Sequence, residues 1–416
     1  MKRILLCFFM FCVLIFTACS PVAKQAPKAL PLNKKPIISE QYKAVWFSFF
    51  DFKDYFKQYS VNNEANFKLF FDNVLDNCKA KGFNRIIVHV RPFSDALYQS
   101  KYYPTSACIA GKQGGKLSYD PLKIMIQEAH EKGLFIEAWI NPYRVTLKND
   151  EYNYTLLSED NPARKWLESD SVSDNRNVLE YDGKLYYNPS KKAVRKLIIN
   201  GIEEIVTNYD IDGIHLDDYF YPIFSTDDHD TEFDAPEYYK SYEITKGYGI
   251  KEYRQKQVNT LVAGIKAAIK DIKPDVTFGI SPAGNIDNLL SEYQYYVDIE
   301  KWCSSDRYVD YITPQIYWGF TNSYAQFDQV LNRWQSITDQ SKVKLYVGLP
   351  AYRIGKDSGS NDEECEEFNT PDSLAKMIAY SRIQNVDGFT VFDYRNITDS
   401  TIAEYIDLMT DELKKQ

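Results

Sequence analysis

Asn208-Tyr209-Asp210-Ile211-Asp212-Gly213-Ile214-His215-Leu216-Asp217-Asp218-Tyr219-Phe220-Tyr221-Pro222 decides the fold. Its centre, Gly213–Asp217, is short, apolar and β-branched, and it ends in acids and aromatics. Side chains alternate along a strand. His215, Asp217 and Tyr219 therefore fall on one face, Ile214 and Leu216 on the other. Two carboxyls at the end of an apolar strand are costly to bury unless they are used or paired. Neighbouring acids in such a place can be driven to different protonation states, one acidic and one ionised. The alternative for Asp218 is to cap the following helix.

Outward from this segment, strand-like and helix-like stretches alternate. The strands expected are Ala44–Phe49, Arg85–Arg91, Phe135–Asn141, Gly213–Asp217, Thr277–Ser281, Tyr311–Tyr317, Leu345–Leu349 and Gly388–Phe392. Helical stripes lie between them. Phe67, Phe70, Phe71, Val74, Leu75 and Cys78 share one face before Lys81-Gly82. Val194 to Val206, Val258 to Ile269 and Leu374 to Ser381 repeat the pattern. Eight alternating units predict an α/β fold, a closed (β/α)8 TIM-type barrel over residues 41–416. An open doubly wound sheet is disfavoured because no glycine-rich turn follows the first strand. Long connections are expected after strands 3, 4 and 7, on the C-terminal rim where barrel chemistry sits.

Composition narrows the function. The 416 residues carry a net charge of -9, which argues against a nucleic-acid partner. Only 4 His are present, so a multi-histidine zinc cage is not expected, and no cofactor is called for. The 33 Tyr, 24 Phe and 6 Trp offer many flat faces of the kind that stack on sugar rings.

The N-terminus reads as an address. Lys2 and Arg3 precede the apolar run Ile4–Phe16, then Thr17-Ala18-Cys19. This is a secretory signal (1–18). Its small residues before a cysteine resemble a bacterial lipoprotein signal, which would make Cys19 the lipidated residue. Residues 19–40, with Pro21, Pro27, Pro31 and Pro36, read as an extended tether from the membrane. The expected location is the cell envelope. Cys78, Cys108, Cys303 and Cys365 read as buried thiols or at most one bridge.

Other strand ends add polar groups: His89, Arg91 and Asp95 at the second; Glu137, Trp139, Asn141, Tyr143 and Arg144 at the third; Gln315, Tyr317 and Trp318 at the sixth; Asp393 and Arg395 at the eighth. His89 and Glu137 could instead be a buried hydrogen-bonded pair, and Trp139 and Trp318 core residues.

Several stretches resemble the glycosyl hydrolase-like 10 family of bacterial lipoproteins. These are Val90-Arg91-Pro92 with Asp95-Ala96-Leu97-Tyr98, Tyr119-Asp120-Pro121-Leu122, Glu128-Ala129-His130, Ala138-Trp139-Ile140-Asn141-Pro142-Tyr143-Arg144, Asp212 to Pro222, Phe278-Gly279-Ile280-Ser281-Pro282 and Pro314-Gln315-Ile316-Tyr317-Trp318. The resemblance implies a (β/α)8 barrel, action on bacterial glycans such as peptidoglycan strands, and Asp217 and Asp218 at the active site. His89 stands where members more often have Gln, and Glu137 where they often have His. The fourth strand is also distantly similar to the chitinase-type family 18 pattern, with Tyr219 in place of that family's acid.

The leading expectation is hydrolysis of an N-acetylated glycan with Asp217 in the first catalytic role and Asp218 in the second, the alternatives for the partner being Asp393, Asp95 and Glu137. Arg91, Asp95, Asn141, Arg144, His215, Gln315 and Asp393 would orient the sugar; Trp139, Tyr143, Tyr219, Tyr317 and Trp318 would stack on it. The rivals are a glycan-binding lipoprotein without turnover and a metal-dependent hydrolase built on His89, Glu137, His215 and Asp217.

Overall fold

The computed structural model describes residues 41–148, 153–224, 232–245, 249–291, 295–356 and 363–415. The expected signal (1–18), Cys19 and the tether (19–40) lie outside the described residues.

Ten strands are described: β1 (Tyr42–Phe47), β2 (Arg85–Arg91), β3 (Phe135–Ile140), β4 (Val178–Tyr181), β5 (Lys184–Tyr187), β6 (Gly213–Leu216), β7 (Thr277–Ile280), β8 (Tyr311–Ile312), β9 (Lys344–Pro350) and β10 (Gly388–Phe392). Eight of them close into a parallel barrel in the order β1-β10-β9-β8-β7-β6-β3-β2. The expected barrel is the observed one. The sixth strand is shorter than its apolar run suggests. Its ladder stops at Ile312, because Pro314 has no N–H to give, and Gln315 is reached only by isolated bridges.

The helical stripes dock as their spacing requires. In the helix Glu64–Ala80 the buried residues are Phe67, Phe70, Phe71, Val74, Leu75 and Cys78, and Asn63 caps it by accepting from Asn66 N. The helices Lys192–Asn208, Ile250–Ile272 and Ser373–Ile383 bury their stripes likewise. The main core thus fills the space between sheet and helices. Cys78, Cys108 and Cys303 are buried; the side chain of Cys365 lies outside the described residues. No described helix is long and apolar enough to cross a membrane.

The sequence reading missed one element. The connection after β3 carries the antiparallel hairpin β4–β5, which turns at Asp182-Gly183 with both residues at positive φ (49° and 69°). An Asp-Gly pair between apolar runs is the signal for such a turn.

Inside the barrel the filling is aromatic and polar. Near the base, Arg85 pairs with Glu137 at 3.0 Å, and Tyr42 donates to Glu137 at 3.0 Å. Tyr311 donates to the other Glu137 oxygen. Above them Trp46 Nε1 donates to His215 Nε2 at 3.1 Å, which leaves His215 Nδ1–H to donate to Tyr311 at 2.8 Å. Burial holds His215 neutral, its pKa lowered to about 3. Close packing explains two glycines. A Cβ on Gly213 would fall 2.6 Å from Thr277 Oγ1 and 2.8 Å from the Glu137 side chain, and one on Gly279 would overlap the Tyr311 ring at 2.0 Å.

Candidate active site

A cavity of about 400 Å³ opens at the C-terminal ends of the barrel strands. Its wall takes Trp46 from β1, His89 from β2, Trp139 from β3, Asp217 and Asp218 after β6, Ser281 after β7, Gln315 and Tyr317 after β8, Tyr352 after β9 and Phe392 from β10. Ser48, Phe49, Phe50, Arg144, Leu147 and Tyr219 complete it. Most of the strand residues follow from period-two alternation, which aims every second side chain at the barrel axis.

Asp217 is 2% exposed. Its Oδ2 accepts from Trp139 Nε1 at 3.2 Å, and its Oδ1 from the Tyr219 backbone N–H at 3.3 Å. The Asn141 amide stands 3.4 Å from Asp217 Oδ2. Turned the other way, that amide offers its oxygen to Arg144 Nη2 and Nε at 3.1 and 3.2 Å. Asp218, half-buried, follows on the cavity wall. Burial pushes both carboxyls above the ordinary aspartate range. For Asp217 the Arg144 charge opposes this and the Asp218 charge adds to it; for Asp218 a hydrogen bond from Gln315 is among the opposing influences. Two mutually repelling acids near neutrality in one cavity can share out the roles of proton donor and anion.

Arg144 lies over the Tyr219 ring at 4.3 Å and the Phe93 ring at 4.9 Å. Tyr219 is 47% exposed, so it is available for stacking. Gln315 donates to the Ser281 carbonyl at 2.9 Å, which fixes its amide at the wall. Tyr317 packs against Phe392 and Tyr352, with centroids 6.1 and 5.5 Å away.

Asp217, Asp218, Trp139, Arg144, Tyr219, Gln315 and Tyr317 therefore gather at one opening. Others named from sequence do not. Arg91 is turned out of the barrel. The β2–β3 register slips between His89 and Arg91, so Arg91 pairs with outward-facing Ile140 and its guanidinium lies over Tyr103 beside Gly201. Asp95 is buried off the cavity, where it accepts from Phe93 N at 3.2 Å and, through a hydrogen bond, from Ser106. Tyr143 is fully buried against Phe220. His215 lies beneath the cavity, held by Trp46 and Tyr311. Trp318 packs over Gly284. Asp393 is the N-cap of Tyr394–Ile397, close to Asp51, and Arg395 reaches both acids at 3.3 and 3.5 Å. His89 and Glu137 form no pair: Glu137 serves Arg85, and His89 stacks on Trp139.

Sequence reasoning missed Trp46, Ser48, Phe49, Phe50, Leu147, Tyr352 and Phe392 on the wall. Inward parity on the first and last strands was the available signal for Trp46 and Phe392. Leu147 and Tyr352 sit on connections, where no periodicity points to them. For a metal, no group of three or more His, Cys, Asp or Glu is suitably placed among the described residues. Glu137 and His215 are already engaged, so the metal-dependent reading lacks two of its four residues. A larger groove, about 1110 Å³, runs along the outer helix Ile250–Ile272. Its lysines are occupied, Lys270 with Asp310 at 3.1 Å and Lys301 with Asp298 at 2.5 Å.

The pattern of the family described as glycosyl hydrolase-like 10 matches residues 41–365, which span all of the barrel up to β9. The chain belongs to that family. Within and around this glycosyl hydrolase-like 10 barrel, the chain is 34% identical over 356 residues to the glycosyl hydrolase YngK of Bacillus subtilis, a match covering 82% of this chain and 66% of YngK. It is 31% identical over 348 residues to the glycosyl hydrolase DigH of Escherichia coli, covering 77% of this chain and 75% of DigH. Among solved structures, the glycoside hydrolase domain of PgaB (BpsB) from Bordetella bronchiseptica superposes with a TM-score of 0.57 at 12% identity, over 89% of this chain and 99% of that one. That likeness is one of fold.

Proposed function

We propose that this glycosyl hydrolase-like 10 barrel hydrolyses an N-acetylated glycan of the bacterial cell wall, peptidoglycan strands being the leading candidate. The reading rests on one observation: two adjacent carboxyls, buried Asp217 and half-buried Asp218, open onto a cavity walled by Trp46, Trp139, Tyr219, Tyr317, Tyr352 and Phe392. Carboxyls held near neutrality suit protonation of a glycosidic oxygen, and aromatic faces suit the apolar face of a sugar ring. The relatives are named glycosyl hydrolases, which supports the same chemistry.

In this mechanism one carboxyl gives its proton to the leaving oxygen while the other stays ionised and meets the positive charge that develops on the sugar. Asp217 is assigned the ionised role. It receives hydrogen bonds from Trp139 Nε1 and Tyr219 N, both of which favour the anion. Asp218, which receives neither of those two hydrogen bonds, is assigned the proton. Arg144 offsets the summed negative charge, and Gln315 orients a substituent of the sugar.

The N-terminal reading adds that the domain is anchored in the cell envelope by lipid on Cys19. Radiolabelled palmitate incorporation in wild type, and its loss in Cys19→Ala, tests this.

The activity itself is tested by incubating the protein with intact and with amidase-stripped peptidoglycan and weighing the products. New reducing ends, absent in Asp217→Asn, are expected. Binding to sacculi with no change in product masses would favour the non-catalytic glycan-binding alternative instead.

A further inference from the structure

The inward wall of β2 presents a group that the mechanism above does not use. His89 is 0% exposed by surface area yet forms part of the cavity wall. Its ring lies flat on Trp139, centroids 3.9 Å apart and planes 6° from parallel, and Phe49 meets it edge-on at 5.7 Å. The ring is therefore clamped in one orientation. Both Nδ1 and Nε2 are buried without a hydrogen-bond partner in the protein.

That state is unusual. Buried polar atoms are nearly always paired, because an unpaired one forfeits its hydrogen bonds to water without replacement. The other described histidines are engaged: His215 satisfies both nitrogens on Trp46 and Tyr311, and His130 binds Asp212 at 2.9 Å. Among the described histidines His89 alone has both nitrogens unpaired, and it sits on the cavity wall, stacked on the same indole that donates to Asp217. Burial and the nearby Arg144 and His215 hold the ring neutral, so it offers one donor and one acceptor rather than a charge.

We propose that the His89 imidazole is a substrate-recognition residue, hydrogen-bonding an uncharged polar substituent of the sugar in the cavity, a hydroxyl or an acetamide. The inference rests on the reading of the cavity as a glycan site. A contact of this kind discriminates strongly, because a ligand lacking the matching group leaves the buried nitrogen unpaired. The flat stack on Trp139 sets the ring one side chain away from Asp217, so the sugar it reads is one held close to the reacting carboxyls.

The test uses full-length protein in the Asp217→Asn background, so that ligand is not consumed, and follows binding by tryptophan fluorescence. Two probes share a β-1,4 backbone: a trimer of N-acetylglucosamine and a trimer of glucose. His89→Phe keeps a flat ring on Trp139 but removes the nitrogens; His89→Gln restores one donor and one acceptor. His89→Phe is expected to weaken binding roughly tenfold with an unchanged melting temperature, and His89→Gln to stay within about threefold of the parent. A loss on both trimers identifies a hydroxyl, and a loss on the acetylated trimer alone identifies the acetamide. Parent-like affinity of His89→Phe for both trimers overturns the proposal. The two readings separate cleanly. A His89-dependent affinity in a protein that cleaves no glycan would remove the hydrolase assignment and keep this one. Cleavage with no His89 dependence would do the reverse.

Discussion

Trp139 Nε1 donates to Asp217 Oδ2 across 3.2 Å, and the same indole carries the His89 ring flat against it, centroids 3.9 Å apart. One side chain therefore links a carboxyl and an imidazole that the chain contributes from different strands. The donor favours the ionised form of Asp217, against the burial that favours the neutral form.

Removing that donor has a signed consequence. In Trp139→Phe the Asp217 pKa rises further. The limb of the pH–activity profile that reports its ionisation should move to higher pH, with kcat/KM lower by about tenfold to a hundredfold at neutral pH. A profile superimposable on wild type would remove the indole from any electrostatic part in the reaction.

Asp217→Asn should reduce kcat by at least about a thousandfold while the fold persists, because the amide keeps the shape and loses the charge. Its effect on stability has the opposite sign. A carboxyl whose folded pKa is raised costs the fold stability when ionised. At pH 8 the variant should therefore melt at or above the wild-type temperature. Calorimetry together with product analysis distinguishes this from simple unfolding.

Stability should also depend on pH in a predictable direction. Burial raises Asp51 to about 7, with the Asp393 charge adding to it, and raises Asp95 to about 6. Groups with raised folded pKa values favour the folded state increasingly as pH falls through those values. His215, lowered to about 3, works the other way: its contribution is whole above the unfolded histidine value of about 6.5 and is lost as pH falls toward 3. The acids named here and the Asp217–Asp218 pair outnumber the two buried histidines, His89 and His215. The melting temperature should rise from pH 8 to about pH 5, then fall below about pH 4. His215→Asn should flatten the acidic fall even though its absolute stability is lower.

The base of the barrel is expected to be intolerant. Glu137→Gln leaves Arg85 buried without its countercharge, at a cost on the order of 3–5 kcal/mol. Gly279→Ala forces a methyl into the Tyr311 ring and should cost at least about 3 kcal/mol. Denaturant titration measures both. A loss under about 1 kcal/mol in either would mean that the interior repacks freely.

The fold was legible because its signals are repeated. Buried stripes at helical spacing and short β-rich runs recur around the barrel, so an error in one unit does not alter the class. The site was legible where alternation held without interruption, as from His215 to Asp217 and at Trp139. It failed where a local irregularity reset the parity. One extra residue on β2, Val90, between the paired positions His89 and Arg91 sends that guanidinium outward, and no residue type in Val90-Arg91-Pro92 announces the slip. Asp95 and Asp393 failed for another reason. An aspartate near a strand end serves equally well as a site acid or as a backbone cap, and only the surrounding amides decide between them. Asp212 and His130, prominent in the sequence pattern, turn out to be structural: their contact joins the helix Pro121–Glu131 to the start of β6, and Asp212 also accepts from Ile136 N of β3 at 2.8 Å.

The column of Glu137, Tyr311, His215 and Trp46 stoppers the barrel below the cavity. No strand can consequently thread through the barrel; approach and departure are both confined to its C-terminal face.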